Sequence, residues 1–418
     1  MSPDLMRTLD QTIGPPVCLL LTVIRWIIDC LSPSHRGPVT DVRRILFVKP
    51  AEMGSTVLTY SALLRARQLW PDCEIYFLVF TENCSAVDLL GLVPREHVFK
   101  LRTDSLWNFL SDSYHELRRI RAMRFDVAID MEFYSRGAAV LTYFAGARAS
   151  AGFDRFTMEG LYKGNLLTHP VQYNAHIHTA ASFACLVESL SVPALEVPYL
   201  KKKVISRADL KLPRFTPVQS EKEEIQSLIR KRNPRVQAGS RLIILNVNAS
   251  DIMPLRKWPL QNYAELARRF LKHPDTFIVL TGIAAEAALA DAFEKDLGTD
   301  SCVNLVGKTS IQSLLTLYSQ ASLMVTNDSG PSHFAGLTDM PTLTLFGPET
   351  PEIYGPLGAN KRSLTAGLAC SPCVSSYNHR RSPCSDAACM RALSVDEVYE
   401  ACCDLMNKAA KDAGTNPS

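Results

Sequence analysis

The chain has 418 residues, of which 47% are hydrophobic and 21% are charged, and this balance excludes an intrinsically disordered or multi-spanning protein. Its formal charge of +3 comes from 45 basic and 42 acidic residues without a long run of one sign, so the sequence gives no reason to expect nucleic acid as a partner. At roughly 100 to 200 residues per domain, the length predicts at least two domains.

The chain begins with an N-terminal extension, residues 1–40, that contains an apolar run from Val17 to Leu31. The run is shorter than the roughly 20 residues that a membrane-spanning helix needs, and it contains Arg25 and Asp29. At helical spacing, one face of this run contains Val17, Leu20, Leu21, Ile24, Ile27, Ile28 and Leu31, and the opposite face contains Cys18, Thr22, Arg25 and Asp29. Residues 15–31 therefore predict an amphipathic helix. Its apolar face either lies in the plane of a membrane surface or packs on the protein's own body or on a second subunit.

Two series of alternating strands and helices follow the extension. The first, in residues 41–210, begins with the apolar run Ile45 to Val48, and the second, in residues 211–418, begins with Leu242 to Val247. A proline-rich stretch from Val192 to Pro217 separates them and predicts a linker. The alternation predicts an α/β fold with two Rossmann-like, doubly wound parallel-sheet domains that face each other across a cleft.

A polar motif, residues 326–333, directly follows the predicted strand Leu323 to Val325 and opens a helix. Ligands of open α/β sheets bind beyond the carboxyl ends of the strands, where a helix N-terminus attracts phosphate. Gly330 would let the backbone approach a ligand closely. The alternative is an ordinary capped turn, with Asp328 or Ser329 as the N-cap and Pro331 at the first helical position.

Two further segments of the second domain follow predicted strands. Residues 246–251 are succeeded by the adjacent cations Arg256 and Lys257, which could neutralise a diphosphate or be ordinary surface charges. The pair Thr281-Gly282 follows the next strand, ending at Leu280. It is a generic turn unless the other two segments bind a ligand.

In the first domain, residues 49–56 join the first strand to the first helix, and Glu52 is the one carboxylate of this loop. A carboxylate here could take a proton from an acceptor hydroxyl, although a loop glutamate is commonly just exposed.

Taken in order over roughly residues 42–400, these segments resemble the bacterial heptosyltransferase family of glycosyltransferases (glycosyltransferase family 9). The resemblance is carried by residues 45–70, 125–130 and 146–153, by Lys257-Trp258-Pro259, and above all by residues 327–333 through Leu345-Phe346-Gly347-Pro348. It implies a glycosyltransferase B fold, inverting transfer from a nucleotide-diphosphate sugar, and no cofactor required for catalysis.

The same resemblance implies that the second, C-terminal domain binds the donor, of which an ADP-sugar is the favoured kind. Lys257 would contact its phosphates and Asp328 its sugar, with Ser329, Gly330 and His333 around the diphosphate. The remaining donor-binding candidates are Asn248, Ser250, Thr281, Gly282 and Pro331. The sugar, a heptose or hexose, would pass to a hydroxyl of a lipopolysaccharide core, another surface glycan, a glycolipid or a protein. Such an enzyme is expected in the cytoplasm, either soluble or peripheral on the inner face of the membrane.

The first loop departs from the family pattern. Family members commonly have Gly-Asp, with the aspartate as presumed base, where this chain has Gly54-Ser55. A serine hydroxyl is a poor base at neutral pH. With Glu52 and Ser55 as the catalytic candidates, either Glu52 has taken over the proton transfer, or the reaction is modified or weak. The alternatives are a nucleotide-sugar epimerase or hydrolase of the same fold and a non-catalytic nucleotide-sugar-binding scaffold.

The last candidate site is a group of four cysteines, Cys370, Cys373, Cys384 and Cys389, separated by two, ten and four residues. Four thiolates at such spacings can hold a structural zinc or iron ion, and some family members that glycosylate proteins carry such a metal. Two disulfides and free thiols are the alternatives.

Overall fold

The computed structural model describes residues 3–133, 135–154, 161–194, 200–203, 206–249, 253–375 and 381–414. The chain divides into two compact units. The first extends to Pro213, and the second comprises Arg214–Ser375 and the chain from Arg381 onward.

The first unit is built on a parallel sheet of six strands in the order β3-β2-β1-β4-β5-β6. The strands are β1 (Arg44–Val48), β2 (Glu74–Phe80), β3 (Val98–Leu101), β4 (Val127–Asp130), β5 (Ala149–Asp154) and β6 (His169–Gln172). Leu46 of β1 is in register with Tyr76 of β2 and with Ala128 of β4. The central strands are continuous apolar runs because helices cover both faces of such a sheet.

The α-helices of the first unit, within the described residues, are α1 (Pro3–Thr12), α2 (Gly14–Leu31), α3 (Met53–Val57), α4 (Tyr60–Leu69), α5 (Cys84–Asp88), α6 (Leu106–Met123), α7 (Arg136–Phe144) and α8 (Thr179–Ser189). Helix α6 begins at a serine cap, because the Ser105 hydroxyl accepts a hydrogen bond from the backbone N–H of Asn108 at 3.1 Å. Its inner face packs with Leu46, Leu78 and Ala128 in one apolar core.

The second unit repeats this plan with a six-stranded parallel sheet in the order β12-β11-β10-β7-β8-β9. Its strands are β7 (Arg241–Asn246), β8 (Thr276–Leu280), β9 (Cys302–Asn304), β10 (Leu323–Asn327), β11 (Thr342–Phe346) and β12 (Lys361–Thr365). Its helices are α9 (Gln219–Arg232), α10 (Leu260–Phe270), α11 (Ala287–Leu297), α12 (Ile311–Tyr318), α13 (Gly330–Ala335), α14 (Pro351–Tyr354), α15 (Ala388–Arg391) and α16 (Val395–Gly414). The core includes Trp258 and Tyr263, both 1% exposed or less. The predicted α/β class with two doubly wound parallel sheets is confirmed.

Helix α2 contradicts part of the prediction for the N-terminal extension. It is 18 residues long and is the one helix in the described ranges with the length and apolar composition to cross a membrane. Its buried residues are Cys18, Leu21 and Arg25. The alternative that the apolar face packs on the protein's own body holds only for one edge of that face, because Leu21 is buried and Val17 packs beside it, whereas Leu20 remains 60% exposed.

Candidate functional site

In each sheet, two neighbouring strands lead the chain away in opposite directions, and ligands of doubly wound folds bind at that point. In the second unit these strands are β7 and β10, which pair in parallel with Leu323 opposite Ile243. Their carboxyl ends carry Asn246 and Asn327, followed by Asn248 and Asp328. The structure therefore brings the two strongest predicted segments of the second unit together at one sheet edge.

Asn327 ties three segments of this edge together. Its Oδ1 accepts a hydrogen bond from the backbone N–H of Trp258 at 3.0 Å. Its Nδ2 donates to the carbonyls of Val247 at 3.3 Å and Asn248 at 3.2 Å. The indole N–H of Trp258 in turn donates to the Leu393 carbonyl at 3.0 Å. Lys257, which directly precedes Trp258, is thereby fixed in backbone position next to the end of β10.

A buried cluster of charged groups surrounds Asp328. The NH1 atom of Arg256 lies 3.7 Å from Oδ2 of Asp328 and 3.9 Å from Oε2 of Glu349. Both carboxylate side chains are less than 5% exposed, and that of Arg256 is 11% exposed. Within the described ranges, the Nε of Arg256 is buried without a hydrogen-bond partner. Among the described residues, this guanidinium therefore makes fewer hydrogen bonds than its five N–H donors allow.

Glu349 was missed by the sequence reasoning, and Arg256 was noted there only beside Lys257. Glu349 follows the buried strand β11 by three residues, at the same sheet edge as Asp328. A carboxylate just past a buried strand is the signal that could have identified it.

The third predicted segment, Thr281-Gly282, also lies at this edge. The Nδ2 of Asn246 donates to the Thr281 carbonyl at 2.9 Å, and the Nδ2 of Asn248 donates to Oε1 of Glu286 at 2.8 Å. A Cβ added to Gly282 would stand 2.2 Å from Oε2 of Glu286, so a side chain there would displace that carboxylate. Among the described residues, the Oδ1 of Asn248 has no hydrogen-bond partner although it is buried.

The predicted phosphate loop folds as a capped turn into the short helix α13. Ser329 is its N-cap in an extended conformation, without a side-chain capping bond, and Pro331 lies in its first turn. The Ser329 hydroxyl donates instead to the Asn327 carbonyl at 3.1 Å. His333 is buried and Gly330 half-buried at this turn. Ser250, another predicted donor-binding residue, lies outside the described residues.

The first unit has a second buried charge cluster, at the carboxyl ends of β1 and β4, the two strands where its chain reverses direction. The Nζ of Lys49 donates to Oε1 of Glu132 at 2.9 Å, and the Nζ of Lys163 donates to Oδ2 of Asp130 at 2.9 Å. Lys163 also donates to the Glu132 carbonyl. Two cations and two carboxylates thus neutralise one another in the interior. Burial raises the pKa of Asp130 and of Glu132, and the neighbouring lysines oppose that rise.

Glu132 also contacts the predicted catalytic loop, because its Oε1 accepts a hydrogen bond from the backbone N–H of Ala51 at 2.9 Å. Glu52 is the one carboxylate within the loop, and Glu132 is a second carboxylate that contacts the loop from the end of β4. The two play different parts, because Glu132 is buried against Lys49 whereas Glu52 is exposed. The pairing was missed because 83 residues separate Lys49 from Glu132.

Glu52 itself has a left-handed backbone, with φ of 63° and ψ of 79°. This region costs a residue with a side chain about 1–3 kcal/mol, and such strain tends to cluster at functional sites. Ser55, one turn further, donates through its hydroxyl to the Glu52 carbonyl at 3.0 Å and to Oε2 at 3.1 Å. The structure thus places the two catalytic candidates in direct contact, with Ser55 as a donor to the Glu52 carboxylate.

The four predicted metal ligands are not gathered in a metal-binding arrangement. The described residues contain no group of three or more histidine, cysteine, aspartate or glutamate side chains placed to hold a metal ion. Oxygen atoms stand next to two of the thiols: the Ser382 hydroxyl lies 3.3 Å from Cys373, and Oδ1 of Asp386 lies 3.2 Å from Cys384. In the described part of the chain, which includes all twelve cysteines, no disulfide is formed. The structure does not support the predicted zinc or iron site at Cys370, Cys373, Cys384 and Cys389.

Comparison with known proteins matches residues 115–382 to the family model of glycosyltransferase family 9 (heptosyltransferase). Among curated proteins, lipooligosaccharide heptosyltransferase 2 of Haemophilus influenzae is 24% identical over 320 residues, which cover 75% of this chain and 86% of that protein. A shorter stretch of 118 residues is 32% identical to lipopolysaccharide heptosyltransferase 2 of Salmonella typhimurium and covers 28% of this chain and 34% of that protein.

Two solved structures have a similar fold. The ADP-heptose lipopolysaccharide heptosyltransferase II of Escherichia coli matches with a TM-score of 0.66 and 18% identity, covering 88% of this chain and 99% of its own. The family 9 glycosyltransferase of Veillonella parvula matches with a TM-score of 0.68 and 18% identity, and the match covers 89% of this chain and 99% of the Veillonella chain. Both likenesses show the glycosyltransferase B type of fold that was predicted from the sequence.

Proposed function

Because the chain belongs to glycosyltransferase family 9 and is a glycosyltransferase, we propose that it transfers a heptose from an ADP-linked donor to a hydroxyl of a lipopolysaccharide core. The choice of donor and acceptor is supported by the heptosyltransferases that the chain resembles, one of which is named for ADP-heptose. The free thiols are in keeping with a reaction in the reducing cytoplasm.

One observation carries the proposal for the donor site: Asn327 joins the ends of β7 and β10 to the segment of Arg256 and Lys257. The reversal point of the second sheet is thereby lined with a largely buried cation, Arg256, a half-buried cation, Lys257, and amide groups. Such a set can neutralise a diphosphate while it hydrogen-bonds a sugar. We assign the phosphates to Arg256 and Lys257, and the sugar hydroxyls to the neighbourhood of Asp328.

In the proposed reaction, the acceptor hydroxyl oxygen forms a bond to the anomeric carbon of the donor sugar while the bond from that carbon to the diphosphate oxygen breaks. The electron pair leaves with the nucleoside diphosphate, whose charge the cations of the second unit stabilise. The hydroxyl proton passes to the Glu52 carboxylate. Attack opposite the leaving group inverts the anomeric configuration. No step needs a metal ion.

The first experiment measures thermal stabilisation of the full chain by ADP-heptose, with UDP- and GDP-sugars and ADP alone as competitors. A ligand that binds only the folded state raises the melting temperature once its concentration exceeds its Kd. The variants Lys257→Met and Asp328→Asn should weaken the effect, whereas Lys272→Met, an exposed lysine at the end of α10, should not. A shift with another nucleotide sugar would replace the proposed donor. No shift with any donor would contradict the proposal, whereas a shift without transfer to any acceptor would favour a non-catalytic nucleotide-sugar-binding scaffold.

Transfer itself is tested by incubating the donor with and without a lipopolysaccharide core acceptor that lacks its heptose. Mass analysis should show a heptose added to the acceptor and ADP released. Release of free heptose or conversion of the donor sugar without acceptor would instead identify a hydrolase or an epimerase.

A further inference from the structure

Helix α2 presents a broad apolar face to solvent. This outward face consists of Ile13, Leu19, Leu20, Val23, Ile24, Trp26, Ile27, Ile28 and Leu31, each between 39% and 84% exposed. The two charged side chains of the helix, Arg25 and Asp29, both lie on its inner side, where they pair at 3.6 Å. An exposed face of nine large apolar side chains without a charged group marks an interaction site.

The inner side of α2 is fastened to the first unit by specific contacts. The NH1 atom of Arg25 donates to the Asn165 carbonyl at 3.1 Å, and the backbone N–H of Asn165 donates to the Thr22 hydroxyl at 2.9 Å. Cys18 and Leu21 are buried against Leu166. A helix that spanned a bilayer would have to abandon these contacts and carry Arg25 and Asp29 into hydrocarbon. The fastened helix instead offers only its outer half to a partner.

The apolar surface extends beyond α2. Helix α7 packs against both α2 and α6, and it exposes Phe144 at its end. Helix α6 adds Trp107, which is 79% exposed, together with Leu106, Leu110 and Tyr114. Exposed tryptophan and tyrosine side chains suit the boundary between lipid chains and water, because each has an apolar ring and a polar group.

Cations border this surface. Along the exposed side of α6, the apolar stripe continues into Arg118, whose guanidinium lies over the Tyr114 ring at 5.7 Å, and then into Arg121, whose NH1 donates to the Phe144 carbonyl at 3.3 Å. Beside α2, Val23, Trp26, Asp29 and Arg36 line an open cavity of about 470 Å³. Among the salt bridges of the described residues, none involves Arg36, Arg118 or Arg121. Their charges are therefore available to anionic groups.

We propose that the outward face of α2, with the exposed side of α6, docks on the surface of an anionic lipid bilayer, and that α2 lies in the membrane plane. Apolar side chains would enter the boundary between headgroups and acyl chains, while Arg36, Arg118 and Arg121 would meet lipid phosphates. A second copy of the chain fits less well, because a symmetric dimer through this face would bring two arginine-bordered surfaces together. The proposal is independent of the donor and acceptor proposed above.

The test measures co-sedimentation of the full chain with vesicles of phosphatidylcholine alone and of a phosphatidylcholine–phosphatidylglycerol mixture. Ile27→Glu should reduce binding to the mixed vesicles about tenfold or more, because it removes an apolar side chain from the outward face, which would enter the membrane, and adds a charge there. Val218→Glu is the matched control: it changes an exposed aliphatic residue at the start of α9 and should leave binding unchanged.

The charge component is tested separately with Arg36→Glu/Arg118→Glu. This variant should lose binding to the mixed vesicles by at least about fivefold per arginine and should lose its sensitivity to salt, whereas Arg230→Glu in α9 should do neither. Circular dichroism of each variant establishes that it is folded, and the charge variant remains informative if Ile27→Glu is not.

Two results would overturn the proposal. One is equal vesicle binding by the intact chain, Ile27→Glu and the charge variant. The other is a change from dimer to monomer by Ile27→Glu, measured by light scattering, without a change in vesicle binding, which would identify a second copy as the occupant.

Discussion

The Nζ of Lys49 lies 2.9 Å from Oε1 of Glu132, and the same carboxylate oxygen accepts a hydrogen bond from the Ala51 backbone at 2.9 Å. Lys49 also donates to the Ala51 carbonyl at 2.7 Å. This buried ion pair therefore holds the backbone N–H and the carbonyl of Ala51, the residue that precedes Glu52. A strained backbone at Glu52 can persist only if its neighbours are fixed in this way.

Lys49→Met should destabilise the protein by about 3–5 kcal/mol, because it leaves the Glu132 carboxylate buried without its cation. Burial already raises the pKa of Glu132, and loss of Lys49 should raise it further. A folded-state pKa above the unfolded value means that stability falls as pH rises through the interval between them. The deficit of the variant, measured by urea unfolding, should therefore be smaller at acid pH than at neutral pH.

The double variant Lys49→Met/Glu132→Leu is the control. Replacement of both partners by apolar groups should recover most of the lost stability. If the double variant is as unstable as Lys49→Met alone, the loss comes from packing rather than from an uncompensated charge.

Glu52→Gln should lower kcat about 100-fold or more while donor-induced thermal stabilisation persists, because the amide cannot accept the hydroxyl proton. Ser55→Ala keeps the carboxylate and removes the hydroxyl that donates to Oε2 and to the backbone carbonyl of Glu52, so it should lower kcat far less and shift the acid limb of the pH profile upward. Steady-state transfer assays over pH measure both. Full turnover by Glu52→Gln would exclude Glu52 as the base.

Most central strands could be predicted because each is a short apolar run followed by a polar or glycine-containing turn, as in β1 and β10. The interior strand β5 was not predicted, because Ala149–Asp154 consists largely of small and polar residues. The edge strands β6 and β12 were not predicted, because His169–Gln172 and Lys361–Thr365 carry polar residues that a central strand would exclude. The donor-site segments were found because they adjoin strands. Glu132, Lys163 and Glu349 were not, because partners distant in sequence decide whether a buried charge is neutralised.

Which face of α2 packs on the first unit could not be predicted, for a related reason. Periodicity shows which residues share a face, but it does not show which face the body covers. The apolar arc was the natural candidate, yet Asn165 provides two hydrogen-bonding groups that fit Thr22 and Arg25 on the other side.

Gly164→Ala should loosen α2 from the first unit. Gly164 has a φ of +71°, and a Cβ there would stand 2.4 Å from the Thr22 hydroxyl and 2.6 Å from the Cys18 carbonyl. Hydrogen exchange of the α2 amides should accelerate, because local opening becomes easier. Gly91→Ala is the matched control: its φ is +64°, but nothing lies within 4 Å of the added Cβ. Equal protection of α2 in both variants would show that backbone strain, not the close approach, matters.

Lys361→Met should remove a pH-dependent part of the stability. Burial lowers the pKa of Lys361 to about 7, and its Nζ donates to the carbonyls of Thr338 at 3.0 Å and Met340 at 2.5 Å. Because the unfolded chain holds this proton more tightly, stability from this residue rises with pH above about 7, by at most about 1.4 kcal/mol per pH unit.

Melting temperatures at neutral and at moderately alkaline pH measure this effect. On going from neutral to alkaline pH, the melting temperature of Lys361→Met should rise less, or fall more, than that of the intact chain. Lys308→Met serves as the control, since Lys308 also donates to a carbonyl, that of Asn304 at 2.9 Å, but from an exposed position. The same change in both variants would assign the effect to other groups.

Arg256→Met tests whether one guanidinium serves both stability and donor binding. Without it, Asp328 and Glu349 keep their charges in the interior and lose a cation that lies within 4 Å of both, so unfolding should become about 3–5 kcal/mol easier. The donor should also bind at least about tenfold more weakly, because the departing diphosphate loses a charged donor.

Arg256→Lys separates the two roles. A lysine restores the charge near both carboxylates, so stability should largely return, but a single ammonium lacks the planar fork of donors that a diphosphate can use. Calorimetric titration with the donor, performed on samples of verified stability, distinguishes the outcomes. Full recovery of donor affinity in Arg256→Lys would reduce the role of Arg256 to charge alone, and unchanged affinity in Arg256→Met would remove it from the donor site.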